Sequence, residues 1–333
     1  MKIKRLIVIL MTLALLTPLA LSGCSDKAES TASSSATKDP AKGDTPENGD
    51  SPSAEITPQS WMSALDSSLS LGAIAMPGTH DSGATKDFVL PGTARCQSLT
   101  IAEQLDIGVR YFDIRLRRVD GDLHVYHGEA DQELTFTQVL GSCYSFLEAN
   151  PSEAIIMCIK EEADPKGSGN SSFDSAVKKQ IEKNADFWYL GSDVPSLEAV
   201  RGKIVLWRRY SAAGEFGFAA DSGWSDNTTF TMRSGKSTLK CQDYYDNESP
   251  EKKWEETQEF FSQMTGKKNT YYLCNTSGYV SNLLGIPNIN TTCDYINPLL
   301  LEHLKSSPDL KGIIATDFMT KEIAKAVYSL NFD

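Results

Sequence analysis

Histidine is scarce in this 333-residue chain, with four copies at positions 80, 124, 127 and 303. No Cys-x-x-Cys pair and no cysteine/histidine cluster at zinc-ligand spacing occurs, which argues against a structural metal. No Gly-x-Gly-x-x-Gly turn follows an apolar strand, and no Gly-x-Ser-x-Gly elbow is present. Positive charge is in short supply as well: 32 Lys and Arg face 44 Asp and Glu, for a formal net charge of -12. The first 24 residues hold Lys2, Lys4 and Arg5 and no acid, so the remainder is more acidic still. Such a chain is a poor general nucleic-acid binder and gains little electrostatic help at an anionic membrane. What is present is apolar residue, 40% of the total, enough for a sizeable core.

The N-terminus reads as a processing signal. A basic "MKIKR" precedes the apolar run "LIVILMTLALLTPLAL", and "LSGC" places small residues directly before Cys24. The pattern resembles a bacterial lipoprotein signal peptide over residues 1–23, with Cys24 as the lipidated first residue of the mature chain. The run is short and contains Pro18, which disfavours a permanent span. The expected location is therefore the outer face of the cell membrane, with the chain anchored through Cys24; an ordinary secretory signal cut near the same place, with free secretion, is the alternative. Residues 24–56 hold almost nothing large and apolar and read as a flexible tether. A folded domain is expected over 57–333, beginning near "WMSALDSSLSL". Outside the cell, disulfides are permitted for the six remaining cysteines. Cys158 and Cys241 lie in strand-like runs and are expected as buried thiols.

Eight apolar or β-prone runs recur: "GAIAMPGTH", "VRYFDIRLR", "DLHVYHG", "AIIMCIKEE", "GKIVLWRRY", "TLKCQDYY", "TYYLCNTSG" and "GIIATDF". Helix-like or loop segments such as "FDSAVKKQIEKNADFW" and "EKKWEETQEFFSQMTG" separate most of them. Alternating strands and helices imply a mostly parallel sheet with covered faces. Eight such units over roughly 275 residues predict an α/β fold of the (β/α)8 TIM-barrel type in a single domain. The junction "LRRVDGDLHVY" and the gap before the sixth run are too short for crossover helices, so irregularity is expected there. An open doubly-wound sheet is the alternative, but it lacks its phosphate turn.

In a barrel the site forms at the C-terminal ends of the strands. Those ends carry His80 and Asp81, Asp113 and Arg115, His127, Lys160 with Glu161 and Glu162, Arg208 and Arg209, Asp243 and Tyr245, and Asp317. Side chains two apart share a face, so Asp113 points with Arg115, Asp243 with Tyr245, and Cys158 with Lys160. Two histidines suit a base and an acid on opposite sides of one reaction, with carboxylates orienting the imidazoles. Lys160, Arg115 and Arg209 offer cations to a phosphate. The set fits phosphoryl transfer to or from oxygen without a metal. The plain alternative is that His80 and His127 are satisfied structural histidines.

"MPGTHDSGA", "GVRYFDIRLR", "LHVYHGE" and "AIIMCIKEE", followed by "RGKIVLWRRYS", "GWSDNTTF", "QDYYD", "DYINP" and "IIATDF", resemble the bacterial form of the phosphatidylinositol-specific phospholipase C X region. The resemblance spans about 60 to 333. It implies that His80 is the base on the inositol 2-hydroxyl, oriented by Asp317, and that His127 is the acid on the glycerol oxygen, working with Asp81. It implies Arg115 on the phosphate, supported by Asp113; Lys160, Arg209 and Asp243 on inositol hydroxyls; and the Tyr245 ring beneath the inositol. The implied products are a 1,2-cyclic phosphate and diacylglycerol, from phosphatidylinositol or a glycosylphosphatidylinositol head group at a membrane surface. Calcium-dependent relatives carry Asn where Asp81 stands, and Arg115 and Lys160 replace metal ligands, so metal-independent turnover by a monomer is expected. Leu283, Leu284, Ile286, Phe216, Phe218 and Trp224 are candidates for an exposed lipid-facing cluster. A glycerophosphodiester phosphodiesterase-like barrel would require motifs that are missing. A non-catalytic module binding inositol lipid or glycan would be favoured had a histidine been lost.

Overall fold

The computed structural model describes residues 56–168 and 172–332. The expected signal peptide, Cys24 and nearly all of the tether lie outside them. In chain order the strands are β1 (Met76–Thr79), β2 (Tyr111–Val119), β3 (Asp122–His127), β4 (Ala130–Thr135), β5 (Ala154–Glu161), β6 (Trp188–Tyr189) and β7 (Lys203–Arg209). Then follow β8 (Phe218–Ala219), β9 (Thr229–Ser234), β10 (Ser237–Gln242), β11 (Thr270–Asn275), β12 (Val280–Ser281), β13 (Pro287–Asn288) and β14 (Ile313–Thr316). The helices are α1 (Ile101–Asp106), α2 (Phe136–Ala149), α3 (Phe173–Glu182), α4 (Leu197–Val200), α5 (Pro250–Phe261), α6 (Ile289–Leu304) and α7 (Lys321–Ser329). Their starts follow local chemistry. Thr100 and Thr135 each close a capping box, with Glu103 and Gln138 respectively, and Ser249 caps α5 ahead of Pro250.

Seven strands run parallel in the order β7-β5-β2-β1-β14-β11-β10. Short β6 and β8 lie parallel to β7, and β9 lies antiparallel to β10. Five steps separate β7 from β11, about 24 Å in a flat sheet. Yet Trp207 on β7 and Tyr271 on β11 have ring centroids 4.6 Å apart. The sheet therefore curls into an irregular (β/α)8 barrel. Its seam is bridged by side chains: Ser234 Oγ accepts from Ala219 N–H and Ser237 Oγ from Val194 N–H, each at 2.9 Å.

One expected strand stands outside the ring. β3 pairs antiparallel with β2, Leu116 opposite Val125, and β4 pairs with β3. The cause is the Asp120-Gly121 turn, with φ of 50° and 91°, which is hairpin chemistry. Two residues reverse the chain but cannot carry it across a sheet. β2 overshoots the rim and β3 brings the chain back.

The two sheet faces bury separate clusters. Inside the barrel lie Met76, Tyr111, Trp207, Leu239, Tyr271 and Ile313. Outside, Phe112, Met157, Leu206 and Ile314 pack with helix residues such as Phe146, Val177 and Leu300. All six cysteines from Cys96 to Cys293 are free and buried, including Cys158 and Cys241 on the inner face. Among the described residues no helix is long and apolar enough to cross a membrane.

Arg110, just before β2, is fully buried and pairs with Glu153 at 3.0 Å. It also donates to the carbonyls of Leu105, Val109, Pro58 and Gln59, tying the segment before the barrel to β2 and β5. Removing one partner of a satisfied buried pair strands the other charge. Arg110→Met is expected to lose about 3–5 kcal/mol of stability, read as a lowered midpoint in denaturant unfolding; an unchanged midpoint would refute this.

Candidate active site

The inward positions of each strand switch from apolar to charged at the same level. Met76 and Gly78 lead to His80; Tyr111 leads to Asp113 and Arg115; Ile156 and Cys158 lead to Lys160. Val205 and Trp207 lead to Arg209; Leu239 and Cys241 to Asp243; Ile313 and Ala315 to Asp317. The period of two in a strand stacks a polar layer on an apolar floor. That layer lines a cavity of about 380 Å³, bordered by His80, Arg115, His127, Lys160, Arg209, Asp243, Tyr245 and Asp317.

His80 Nδ1 lies 2.8 Å from Asp317 Oδ1. Its Nε2 lies 2.6 Å from a guanidinium nitrogen of Arg115. Arginine can only donate, so Nε2 presents a lone pair and the proton sits on Nδ1, toward Asp317. Burial and Arg115 pull the His80 pKa down, but the Asp317 and Asp113 carboxylates push it up, leaving it above the ordinary imidazole value. Gln97 donates to the carbonyls of both His80 and Thr316, clamping the ends of β1 and β14 together.

Asp81 turns the other way. Its φ of 40° is a left-handed conformation that aspartate tolerates, and its N–H donates to Asp113 Oδ2. Its carboxylate is fully buried, with neither oxygen in a hydrogen bond. It lies 3.4 Å from Arg115 and 3.6 Å from His127 Nδ1. Burial raises its pKa. His127 Nδ1 donates to the Ala94 carbonyl at 2.6 Å. The strand-end rule expected His127 on the ring; the β2 overshoot delivers it instead through β3.

Asp113 accepts from Arg115 at 3.1 Å. Burial would raise its pKa, yet Arg115 and Arg209 hold it well below the usual carboxylate range. Lys160 pairs with Glu162 at 2.7 Å, and Glu162 also accepts the Gly128 N–H and lies 3.8 Å from Arg115. Arg209 stacks on Trp224 with its guanidinium carbon 3.6 Å from the ring centre, and lies 4.0 Å from Asp243. Asp243 accepts from Trp224 Nε1 at 2.7 Å and from Asn275 at 2.9 Å. Tyr245 donates its hydroxyl to Asp226 at 2.6 Å.

Some residues fall elsewhere. Arg208 points to the opposite sheet face and donates to the Phe216 carbonyl, as the alternation with Arg209 requires. Glu161 borders the cavity but pairs with Arg118. Sequence reasoning passed over Asn275, though it is the inward residue after Tyr271 and Leu273, and over the supporting role of Glu162. It also passed over Lys253 of α5, fully buried, whose ammonium donates to Gln242 and the Tyr244 carbonyl beside Asp243 and Tyr245. Burial lowers its pKa to about 8. Its spacing to Thr257, Phe260 and Phe261 puts it on the buried face of α5, but a lysine there does not by itself point to the site. Of the lipid-facing candidates, Phe218 is buried, Phe216 packs against Arg208 and Trp224 lies under Arg209, so they form no exposed cluster. Leu283 and Leu284 are fully exposed, whereas Ile286 is half-buried. Cys96 adds a thiol 3.8 Å from His127 Nδ1.

A barrel mouth that holds two imidazoles among fixed cations has the groups that acid–base chemistry on an anionic substrate requires. Comparisons with known proteins narrow the class. Residues 77–210 match the family described as phosphatidylinositol-specific phospholipase C, X domain. The chain is 31% identical over 276 residues to 1-phosphatidylinositol phosphodiesterase of Staphylococcus aureus (strain Newman), covering 77% of this chain and 86% of that one. The enzyme of that name from Listeria monocytogenes is 27% identical over 286 residues, covering 83% and 86%. A solved structure of the Staphylococcus aureus phosphatidylinositol-specific phospholipase C superposes with a TM-score of 0.75 at 28% identity, over 83% of this chain and 98% of that one. The Listeria monocytogenes structure gives 0.68 at 25% identity, over 83% and 99%. The chain belongs to the phosphatidylinositol-specific phospholipase C family.

Asp317→Asn removes the larger of the two carboxylates that raise the His80 pKa and leaves Asp113 against burial and Arg115, which lower it. An NMR titration of the histidines is expected to place His80 above the ordinary imidazole value in the native protein and lower in the variant. Equal values in the two proteins would overturn the assignment.

Proposed function

We propose that this chain cleaves phosphatidylinositol, and the related head group of glycosylphosphatidylinositol anchors, to inositol 1,2-cyclic phosphate and diacylglycerol without a metal. The observation that carries this reading is a pair of imidazoles at one cavity with different partners: His80 Nδ1 faces the Asp317 carboxylate and its Nε2 faces Arg115, while His127 Nδ1 donates to the Ala94 carbonyl beside the Asp81 carboxylate. On this reading His80 takes the proton of the inositol 2-hydroxyl, which attacks the adjacent phosphorus. His127, protonated on both nitrogens and steadied by Asp81, gives a proton to the departing glycerol oxygen. Arg115 shifts from His80 to the phosphate oxygens, where charge develops. Lys160, Arg209 and Asp243 meet ring hydroxyls and the Tyr245 ring lies beneath the inositol. Metal independence is supported by Arg115 and Lys160, already set among Asp81, Asp113 and Glu162. Fixed cations there do the work a divalent ion would do.

The rim supports a lipid interface. Phe88, Val89 and Leu90 are exposed on the loop after β1, and Leu283 and Leu284 on the β12–β13 hairpin. The two segments adjoin: Leu90, Val280 and Ile286 border one surface pocket, and Ile289 N–H donates to the Gly92 carbonyl at 2.9 Å. The reading extends to an exported lipoprotein, held on the outer face of the membrane by Cys24 and acting as a monomer, with residues 24–56 as its tether and 57–333 as its catalytic domain.

Phosphatidylinositol incubated with the protein in EGTA is expected to give a cyclic phosphate signal in ³¹P NMR. His80→Ala and His127→Ala should each slow its appearance by about 10²–10⁴-fold. No cyclic product from the native protein, or full activity restored only by calcium, would sink the reading. Leu283→Ser combined with Leu284→Ser should weaken binding to phosphatidylinositol vesicles in a sedimentation assay while leaving thermal stability unchanged, since neither side chain is packed. Undiminished vesicle binding would remove the hairpin from the interface.

A further inference from the structure

Sequence spacing shows no metal-ligand motif, yet the fold assembles one from three separated segments. We propose that Asp81, Cys96 and His127 form a site for a soft divalent metal ion, zinc in the first place, whose binding switches off the acid half of the active site. One carboxylate oxygen, the thiol sulfur and one ring nitrogen lie within 4.8 Å of one another. Zinc–nitrogen at about 2.0–2.1 Å and zinc–sulfur at about 2.3 Å place tetrahedral ligand pairs roughly 3.4–3.6 Å apart. Here His127 Nδ1 lies 3.8 Å from Cys96 Sγ and 3.6 Å from Asp81 Oδ2. Small side-chain shifts bring all three to bonding distance of one point.

A second observation marks the place as a ligand site. The Asp81 carboxylate is fully buried and neither of its oxygens makes a hydrogen bond. Arg115 and His127 offset its charge at 3.4 and 3.6 Å but leave both oxygens without a hydrogen bond, a deficit that a bound metal would make good. Carboxylate, imidazole and thiolate together are a donor set for zinc rather than for calcium or magnesium, which prefer oxygen alone. The other arrangement sharing Cys96 uses His80 and Asp317. It is the poorer one, because His80 Nδ1 and Asp317 are already joined at 2.8 Å and Nε2 accepts from Arg115.

Binding is balanced as follows. Cys96 loses its thiol proton to water and binds as thiolate. The single proton of neutral His127 moves from Nδ1 to Nε2, and the bond to the Ala94 carbonyl gives way to the metal. His127 borders the cavity, so the ion enters past its ring, and water takes the fourth position. Arg115, 3.4 Å from Asp81, opposes the incoming charge and keeps the site a reversible one. The inhibitory consequence rests on the role proposed above for His127. An imidazole with a metal on Nδ1 cannot become imidazolium, so its acid form is lost.

The test titrates the native protein, freed of metal, with Co²⁺ and watches for thiolate-to-cobalt charge-transfer absorption in the near ultraviolet. One equivalent of Zn²⁺ should abolish the band. Cys143→Ser, whose thiol lies in α2 away from the site, should keep it. Cys96→Ser should lose it and bind zinc more than about tenfold more weakly, and His127→Ala, which alters a partly exposed side chain, should also weaken zinc. No band in the native protein, or a band that survives in Cys96→Ser, would overturn the site. With phosphatidylinositol vesicles, zinc should slow native turnover reversibly to EDTA and slow Cys96→Ser less. Full turnover with zinc bound would overturn the inhibitory half. A cobalt band that depends on Cys96 in a protein without turnover upholds the site, and the failure then belongs to the proposed reaction.

Discussion

The Arg115 guanidinium holds the site together. It touches the His80 ring and lies within 4 Å of carboxylate oxygens from Asp81, Asp113 and Glu162. A cation this deep is tolerated because three anions surround it, and the anions are tolerated because of it. Without it, Asp81 and Asp113 would be two buried carboxylates joined by a backbone N–H. Arg115, midway along β2, thus ties the residues that follow β1 and β5 to β2 electrostatically. The Asp81–Asp113 contact has a further effect: it fixes Asp81 at positive φ, so adjacent residues serve opposite sides of the cavity.

Beneath this layer lies an aromatic plug. Trp207 meets Tyr111, Phe218 and Tyr271, with centroids 4.6 to 5.6 Å apart. These rings fill a barrel whose ladder stays open at one seam, joining strands from opposite sides by packing. They also give the charged layer a dry floor, which strengthens each ion pair above it. One constraint therefore explains two properties: the inward period of two makes the plug, and its continuation by one more residue makes the site.

That period is why so much was legible. The seven ring strands and the inward-facing His80, Arg115, Lys160, Arg209, Asp243 and Asp317 follow from alternation and strand ends alone. Arg208 shows the limit of reading ends without applying the alternation strictly. The β3 strand was misplaced because β-propensity does not distinguish a ring strand from a hairpin arm; Asp120-Gly121 does. Gln97, Lys253 and Cys96 were illegible for a deeper reason. Each acts across long sequence distance from a loop or helix, and no local pattern encodes which interior a single polar side chain will enter.

The two imidazoles are also held by different kinds of structure. His80 extends from a ring strand paired on both sides, and Gln97 and Asp317 lock it to β14. His127 ends a hairpin arm with an irregular register to β4, and a loop carbonyl, Ala94, fixes its tautomer. That loop is stiffened in turn: one oxygen of Asp87 accepts four backbone N–H groups, from Gly92 to Arg95. The same turn presents Phe88, Val89 and Leu90 to solvent. The exposed apolar rim and the hydrogen bond that orients His127 are thus two ends of one stapled segment. His80 is oriented by the barrel, while His127 takes its orientation from the surface that faces outward.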